Sequence, residues 1–368
     1  MHIVKKLLIV FIIIASFVII YRLLKQNSEV KEQIDKQIME VKKEGFVAQV
    51  NDPATPATPV NDPAIKAETA MLDKAASDLG REMLLKPIPK KFLDFPLREF
   101  MIKSSYNSAI IGETASTEAI DFVLKRGCRL IDFEIHTRNL EMAKETEFVS
   151  YSHGASLKTG LTLTLEKAMM FVAANAFSAL SPLPDDPIFI HLRFKNHSKE
   201  IFTRASNAIT TIFGERLYRK PLTGSTPINE IMGKVVIILD AKSSPNYEKQ
   251  ANCDGVGLGC TPYTEYVGLV SGTADLPKYT YDDYYELTSA PIMVSQSNRT
   301  DNMRFIMITP PDSSGNINML PDVDNLKKLP IQMMLVPFYK QNDKLKKYEE
   351  IFNKCKSAFC PLGTFIRE

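Results

Sequence analysis

The 368-residue chain has no tryptophan, which by itself excludes no class, and only five cysteines, too few for disulfides to be its main source of stability. It also lacks charge of one sign. Lys and Arg number 45 against 43 Asp and Glu, a formal +2. A dedicated nucleic-acid binder would show a strong basic excess on one face, so no nucleic-acid partner is expected. The 45% apolar fraction is that of a globular chain and excludes wholesale disorder. The length exceeds a typical domain, yet one large α/β barrel could use most of it.

Several segments precede any such body. Leu7 to Leu24 is almost wholly apolar, broken by Ala15, Ser16, Tyr21 and Arg22, with Lys5 and Lys6 in front. As a helix these residues span about 27 Å, enough for a slightly thinned bilayer core. A cleaved signal peptide is the rival reading, but no small-x-small site stands before Arg22. The expectation is an uncleaved single-pass anchor over residues 1–25. Basic residues on both flanks leave its orientation undetermined. Ser28 to Gly45 has near-helical apolar spacing, and Val50-Asn51-Asp52-Pro53-Ala54 recurs as Val60-Asn61-Asp62-Pro63-Ala64. The prolines there favour an extended spacer. A second helical stretch from about Ile65 to Leu85 leads to Lys86-Pro87-Ile88-Pro89, so 26–85 reads as stalk and linker and 86–368 as the folded domain.

That domain holds eight strand-like runs: Glu99–Ser105, Arg129–Ile135, Phe148–His153, Ile188–Phe194, Lys234–Ala241, Thr264–Ser271, Arg304–Pro310 and Ile331–Phe338. Helical patterns fall at Thr117–Arg126, Leu163–Phe177, Glu200–Phe213 and Lys344–Lys354. Alternation of this kind predicts a mainly parallel sheet, and eight strands point to a TIM-type (β/α)8 barrel. The second and third runs are too close for a helix between them.

Chemistry in such a barrel sits at the C-terminal strand ends, and here those ends are polar. The first run finishes Ser104-Ser105-Tyr106-Asn107. In the second, alternation puts Asp132, Glu134 and His136 on one face, where buried carboxylates need a cation or hydrogen-bond partners. The third ends Ser152-His153-Gly154, and the fourth places His191 and Arg193 on a shared face. Taken singly, each has a structural reading: Asp132 could pair with Arg129 or Arg193, and His153 could be a turn residue. Their order on successive strands suggests one barrel mouth.

These blocks resemble the phosphatidylinositol-specific phospholipase C X domain. The carriers are Ser104-Ser105-Tyr106-Asn107, Gly127-Cys128-Arg129 with Asp132 and Glu134, Ser152-His153-Gly154, and His191 through His197. The similarity is good over about 95–245 and faint beyond 260. It implies a phosphodiesterase barrel acting on an inositol phospholipid, with two histidines as general base and acid and a Ca²⁺ held by oxygen ligands. Here His153 matches the second histidine, while the first is Tyr106, a phenol of ordinary pKa about 10 and a poor base at neutral pH. Asn107, Asp132 and Glu134 keep the calcium-type oxygens, but the family's strand-four glutamate is Arg193. A guanidinium repels a dication and removes a donor, so Ca²⁺ is disfavoured and no cofactor is expected.

Arg193 has two readings: a metal substitute offering charge to a phosphate, as in some bacterial relatives, or a salt bridge locking a dead site. His136 could replace the base. Of the family's phosphate-gripping lysine pair only Lys242 remains, beside Asp240, and the Arg-x-Tyr-Pro motif reads Met307-Ile308-Thr309-Pro310. Lys242 and Asn107 are the candidate substrate contacts. The expected function is a membrane-anchored, catalytically impaired phospholipase C-like protein serving as a binding or structural module. The alternatives are a metal-independent phosphodiesterase with His153 as acid and Arg193 as clamp, and a protein-interaction scaffold. Cys128 reads as a core thiol, whereas Cys253/Cys260 and Cys355/Cys360 are candidate local disulfides. Asn196-His197-Ser198 and Asn298-Arg299-Thr300 are formal glycosylation triplets.

Overall fold

A computed structural model describes residues 70–71, 73–74, 77, 84–112, 114–140, 144–153, 156–157, 160, 163–179, 181–195, 199–244, 261–289, 305–311, 331–338 and 342–365. The apolar segment 7–24, the helical stretch 28–45, the Pro-rich repeat, Cys253/Cys260 and both glycosylation triplets lie outside them. Among the described residues, no helix is long and apolar enough to cross a membrane.

Eight parallel strands form the body: β1 (Phe100–Ser105), β2 (Leu130–Leu140), β3 (Ile188–Phe194), β4 (Val235–Asp240), β5 (Val267–Ser271), β6 (Lys278–Thr280), β7 (Met307–Thr309) and β8 (Met333–Val336). Their order is β5-β4-β3-β2-β1-β8-β7-β6, with β1 paired to both β2 and β8. That is sequential winding into a nearly closed TIM-type barrel. Among the described residues no ladder joins β5 to β6, so a seam is left there.

Strands buried on both faces read as near-continuous apolar runs, as Val235-Val236-Ile237-Ile238-Leu239 does. Helices α1 (Thr117–Lys125), α2 (Leu165–Ala176), α3 (Lys199–Phe213), α4 (Tyr281–Ser289) and α5 (Asp343–Cys355) accompany them. Caps set several starts: Ser116 Oγ accepts from the Ala119 N–H, Thr164 Oγ1 from Lys167 and Asn342 Oδ1 from Leu345. Phe194 stacks on Phe202 of α3 at 4.6 Å, which turns odd-numbered His191 and Arg193 of β3 into the barrel.

One expectation is corrected. Phe148–His153 is not a stave of the barrel. Lys144–Ser150 turns back antiparallel on β2, and Ser152–His153 forms a separate two-residue hairpin with Ser156–Leu157. The eighth stave is instead β6, whose three residues are too few to show an alternating pattern. Of the expected local disulfides, Cys355 and Cys360 form one with Cα atoms 5.5 Å apart, and Cys128 is a buried free thiol.

The base of the barrel is tied by the segment entering it. The Lys86 N–H donates to the Lys356 carbonyl and the Ile88 N–H to Asp186 Oδ1 at 3.0 Å. Leu85 is buried against Gly127, where a Cβ would stand 2.3 Å from Leu85 Cδ1 and φ is +79°, so only glycine fits. Further up, a Cβ on Gly112 would lie 3.1 Å from Met71 Sδ. Met71 and Leu85 thus contact the segments that precede and follow α1. Between α1, β1 and α5, Glu349 accepts from Lys103 Nζ at 2.8 Å and from Arg126 Nε at 2.9 Å, forming a buried ion triad.

Candidate functional site

The site forms where β2 and β3 run side by side. Their register sets Asp132 beside His191 and Glu134 beside Arg193, so all four side chains share the interior face. Arg193 is 3% exposed and its guanidinium is the hub. Nε donates to Asp132 Oδ1 and Nη2 to Asp132 Oδ2, each at 2.9 Å, a two-pronged grip. Nη1 donates to Glu134 Oε2 at 2.9 Å, and Nη2 also reaches Asn107 Oδ1 at 2.5 Å. The Tyr106 ring covers the guanidinium, 4.5 Å from Cζ to ring centre.

Asn107 is held in the left-handed region, φ 45°, a conformation asparagine tolerates better than most residues. Its N–H donates to Asp132 Oδ2 at 2.9 Å and its carbonyl accepts from Ile110, fixing the turn out of β1. The amide oxygen is thereby aimed at Arg193. Asp132 accepts a further bond at Oδ1, 2.7 Å from His191 Nδ1. The other ring nitrogen, Nε2, lies 2.9 Å from Ser271 Oγ on β5. Ser271 Oγ donates to Asp240 Oδ1 at 3.1 Å, and Lys278 Nζ on β6 donates to that same oxygen.

Glu134 has a second set of partners. His136 Nε2 lies 2.8 Å from Oε1, and Oε1 also accepts from the Ser152 N–H at 2.8 Å and the Ser152 hydroxyl. Lys195 Nζ stands 3.9 Å from Oε2. Burial alone would push both carboxyls up. The Arg193 charge and the His191 bond more than reverse this for Asp132, held well below the usual carboxylate range. Arg193, His136, Lys195 and Ser152 do the same for Glu134, lowered to about 2. Burial also opposes the charge on Arg193, but Asp132, Tyr106 and Glu134 outweigh it and keep the guanidinium protonated.

Tyr106, Asn107, Asp132, Glu134, His136 and Arg193 are therefore brought together. The His153 backbone follows Ser152, a partner of Glu134. Lys242 is instead exposed in the turn after β4. Arg129, the other partner considered for Asp132, turns away to the Ala176 and Leu183 carbonyls and Ser181. Sequence reasoning assigned no role to His191, Ser271 or Lys278. Only His191 gave a signal, by sharing a strand face with Arg193.

The oxygens of Asn107, Asp132 and Glu134 that would face a cation already face guanidinium nitrogens at 2.5–2.9 Å. Calcium needs six to eight oxygens and a net negative cage. The residues present do not fit it, because a fixed positive charge fills the centre of the set. Among the described residues no group of three His, Cys, Asp or Glu side chains is arranged to hold a metal.

A nearly closed parallel barrel with a polar cluster at the C-terminal strand ends defines the TIM-type α/β barrel class, and comparison with known proteins narrows it. Residues 93–240 match the family "Phosphatidylinositol-specific phospholipase C, X domain". Over that stretch the chain is similar to a domain of that type. Among solved structures, PLC21 of L. pealei is 15% identical with a TM-score of 0.55, covering 86% of this chain and 46% of that one. PLC21 of S. officinalis is also 15% identical, with a TM-score of 0.54, covering 92% and 50% respectively. The chain therefore spans about half the length of these relatives, and at this identity the likeness speaks for the fold. No curated protein matches the chain.

Proposed function

We propose that this is a phospholipase C-type barrel whose phosphodiesterase site is silenced, retained as a binding or structural module for an inositol phospholipid surface or a protein partner. The observation that carries this reading is the state of Arg193. Four of its hydrogen bonds go to Asp132, Glu134 and Asn107, and Tyr106, which stands where the family has its first histidine, lies across it. Two carboxylates around one guanidinium leave the trio with a net negative charge, unfavourable for a phosphodiester. Four of its five N–H groups are thus engaged, so a two-pronged hold on a phosphate would make Arg193 give up buried charge-assisted bonds, each contributing about 1.5–3 kcal/mol. The apolar segment 7–24 supports placing the module at a membrane.

The reading is tested by offering phosphatidylinositol vesicles to the full chain with calcium or with chelator. No hydrolysis is expected in either condition. Millimolar calcium should also leave the thermal midpoint unmoved, since a ligand that binds the native state raises it. A calcium-dependent rise would show that the oxygen set can be freed from Arg193.

One observation favours a second reading, a metal-independent phosphodiesterase. His136 is oriented by Glu134 at 2.8 Å, and Glu134 also holds Arg193, so a base and a phosphate-stabilising cation share one carboxylate. Hydrolysis that ignores chelator and disappears in His136→Ala would establish it.

A further inference from the structure

Arg193 is held by more than the groups around it. A continuous file of polar side chains runs behind it: Arg193 to Asp132, Asp132 to His191, His191 to Ser271, Ser271 to Asp240, Asp240 to Lys278. Five strands contribute, β2 through β6. Asp132, His191 and Ser271 are fully buried and Asp240 is 2% exposed, so little water competes for these bonds. The file ends at the seam between β5 and β6. There Ser271 from one edge and Lys278 from the other both donate to Asp240 Oδ1. Side-chain bonds thereby span the seam that no strand ladder closes, beside the turn bond from the Gly272 N–H to the Leu276 carbonyl.

We propose that His191, Ser271 and Asp240 are positioning residues for Arg193, and that the side-chain closure of the β5–β6 seam and the setting of the Arg193 guanidinium form one mechanical unit. The argument is one of bond supply. Asp132 Oδ1 accepts from both Arg193 Nε and His191 Nδ1, so the imidazole fixes where that oxygen sits. His191 in turn is fixed at its far nitrogen by Ser271 alone among the bonds it makes in this file. Removing the serine hydroxyl leaves a buried ring nitrogen unmatched and frees the ring to rotate, and Asp132 loses its stop. The inference rests on Arg193 being the resident cation of the site. It does not depend on whether the site turns over a substrate.

The test reads Arg193 itself. In the full chain labelled with ¹⁵N-arginine, the Nε–H resonance of Arg193 is assigned by its loss in Arg193→Lys, and its exchange with water is measured. Ser271→Ala should speed that exchange about tenfold, the loss expected for roughly one buried hydrogen bond. Ser271→Thr, which keeps the hydroxyl, should restore it. Lys278→Met, at the far end, should act in the same direction with a smaller effect, and it decides the matter if Ser271→Ala does not fold. The Arg129 side-chain resonance, buried among its own partners, is the control and should not change.

Unchanged Arg193 exchange in the folded variants would overturn the proposal. So would equal acceleration at Arg129, which would signify general loosening, or failure of Ser271→Thr to restore, which would signify packing. Hydrolysis of phosphatidylinositol by the unsubstituted chain would overturn the silenced-site reading and leave the exchange result standing.

Discussion

Arg193→Met is expected to lower stability by about 3–5 kcal/mol, because it leaves Asp132 and Glu134 buried without their counter-ion. For a domain of this size that is a fall of roughly 10 °C in the thermal midpoint. The pH dependence is the sharper result. In the unsubstituted protein both carboxyls are depressed, so their contribution is complete above the unfolded carboxylate pKa of about 4. It is lost as pH falls through that value towards the folded value of about 2 for Glu134. In the variant the cation is gone and burial remains, which raises the folded pKa values above the unfolded ones. Acidification then stabilises the variant while it destabilises the parent. Thermal melts from pH 7 to pH 4 should converge. Parallel profiles would mean that Asp132 and Glu134 are rescued by other partners and that Arg193 is not the hub.

The second large effect lies away from the site. Glu349 is the shared acceptor of Lys103 and Arg126, and Lys103 is 0% exposed. Glu349→Gln keeps the shape and removes the charge, leaving a buried ammonium without its counter-ion at a cost of about 3–5 kcal/mol. Burial already lowers the Lys103 pKa, and Glu349 is the main group opposing that shift. A lysine whose folded pKa lies below its unfolded value makes the fold more stable as pH rises. The substitution widens the difference, so the deficit of the variant should shrink from pH 7 towards pH 10. Denaturant titrations at the two ends of that range check this, and a deficit independent of pH would place the cost in Arg126 instead.

Much of the site was legible because a strand exposes it two residues at a time. Asp132, Glu134 and His136 fall on one face by alternation, as do His191 and Arg193, and the order of polar strand ends led to one mouth. The pairing of Glu134 with Arg193 was foreseeable in kind but not in number: no spacing says that one guanidinium will collect Asn107, Asp132 and Glu134 at once. The Asp240–Lys278 bond was hidden for a different reason. It joins β4 to a strand of three residues, and so short a stretch carries no period. Phe148–His153 misled because an alternating run looks alike whether it continues the parallel barrel or doubles back on β2. Only the close spacing to the preceding strand hinted at the return.

Leu85 and its seat on Gly127 decide where this protein can be cut. The leucine fills the gap a glycine side chain would have occupied, and the backbone that follows it is bonded to the turn at Lys356 and to Asp186. A chain trimmed to begin at residue 86 would keep every barrel strand and still lose this plug, opening the floor beneath α1 to water. Burying a leucine contributes about 1.5–3 kcal/mol. A shortened version meant for crystallisation should therefore start upstream of Met71, so that Gly112 and Gly127, before and after α1, both keep these contacts.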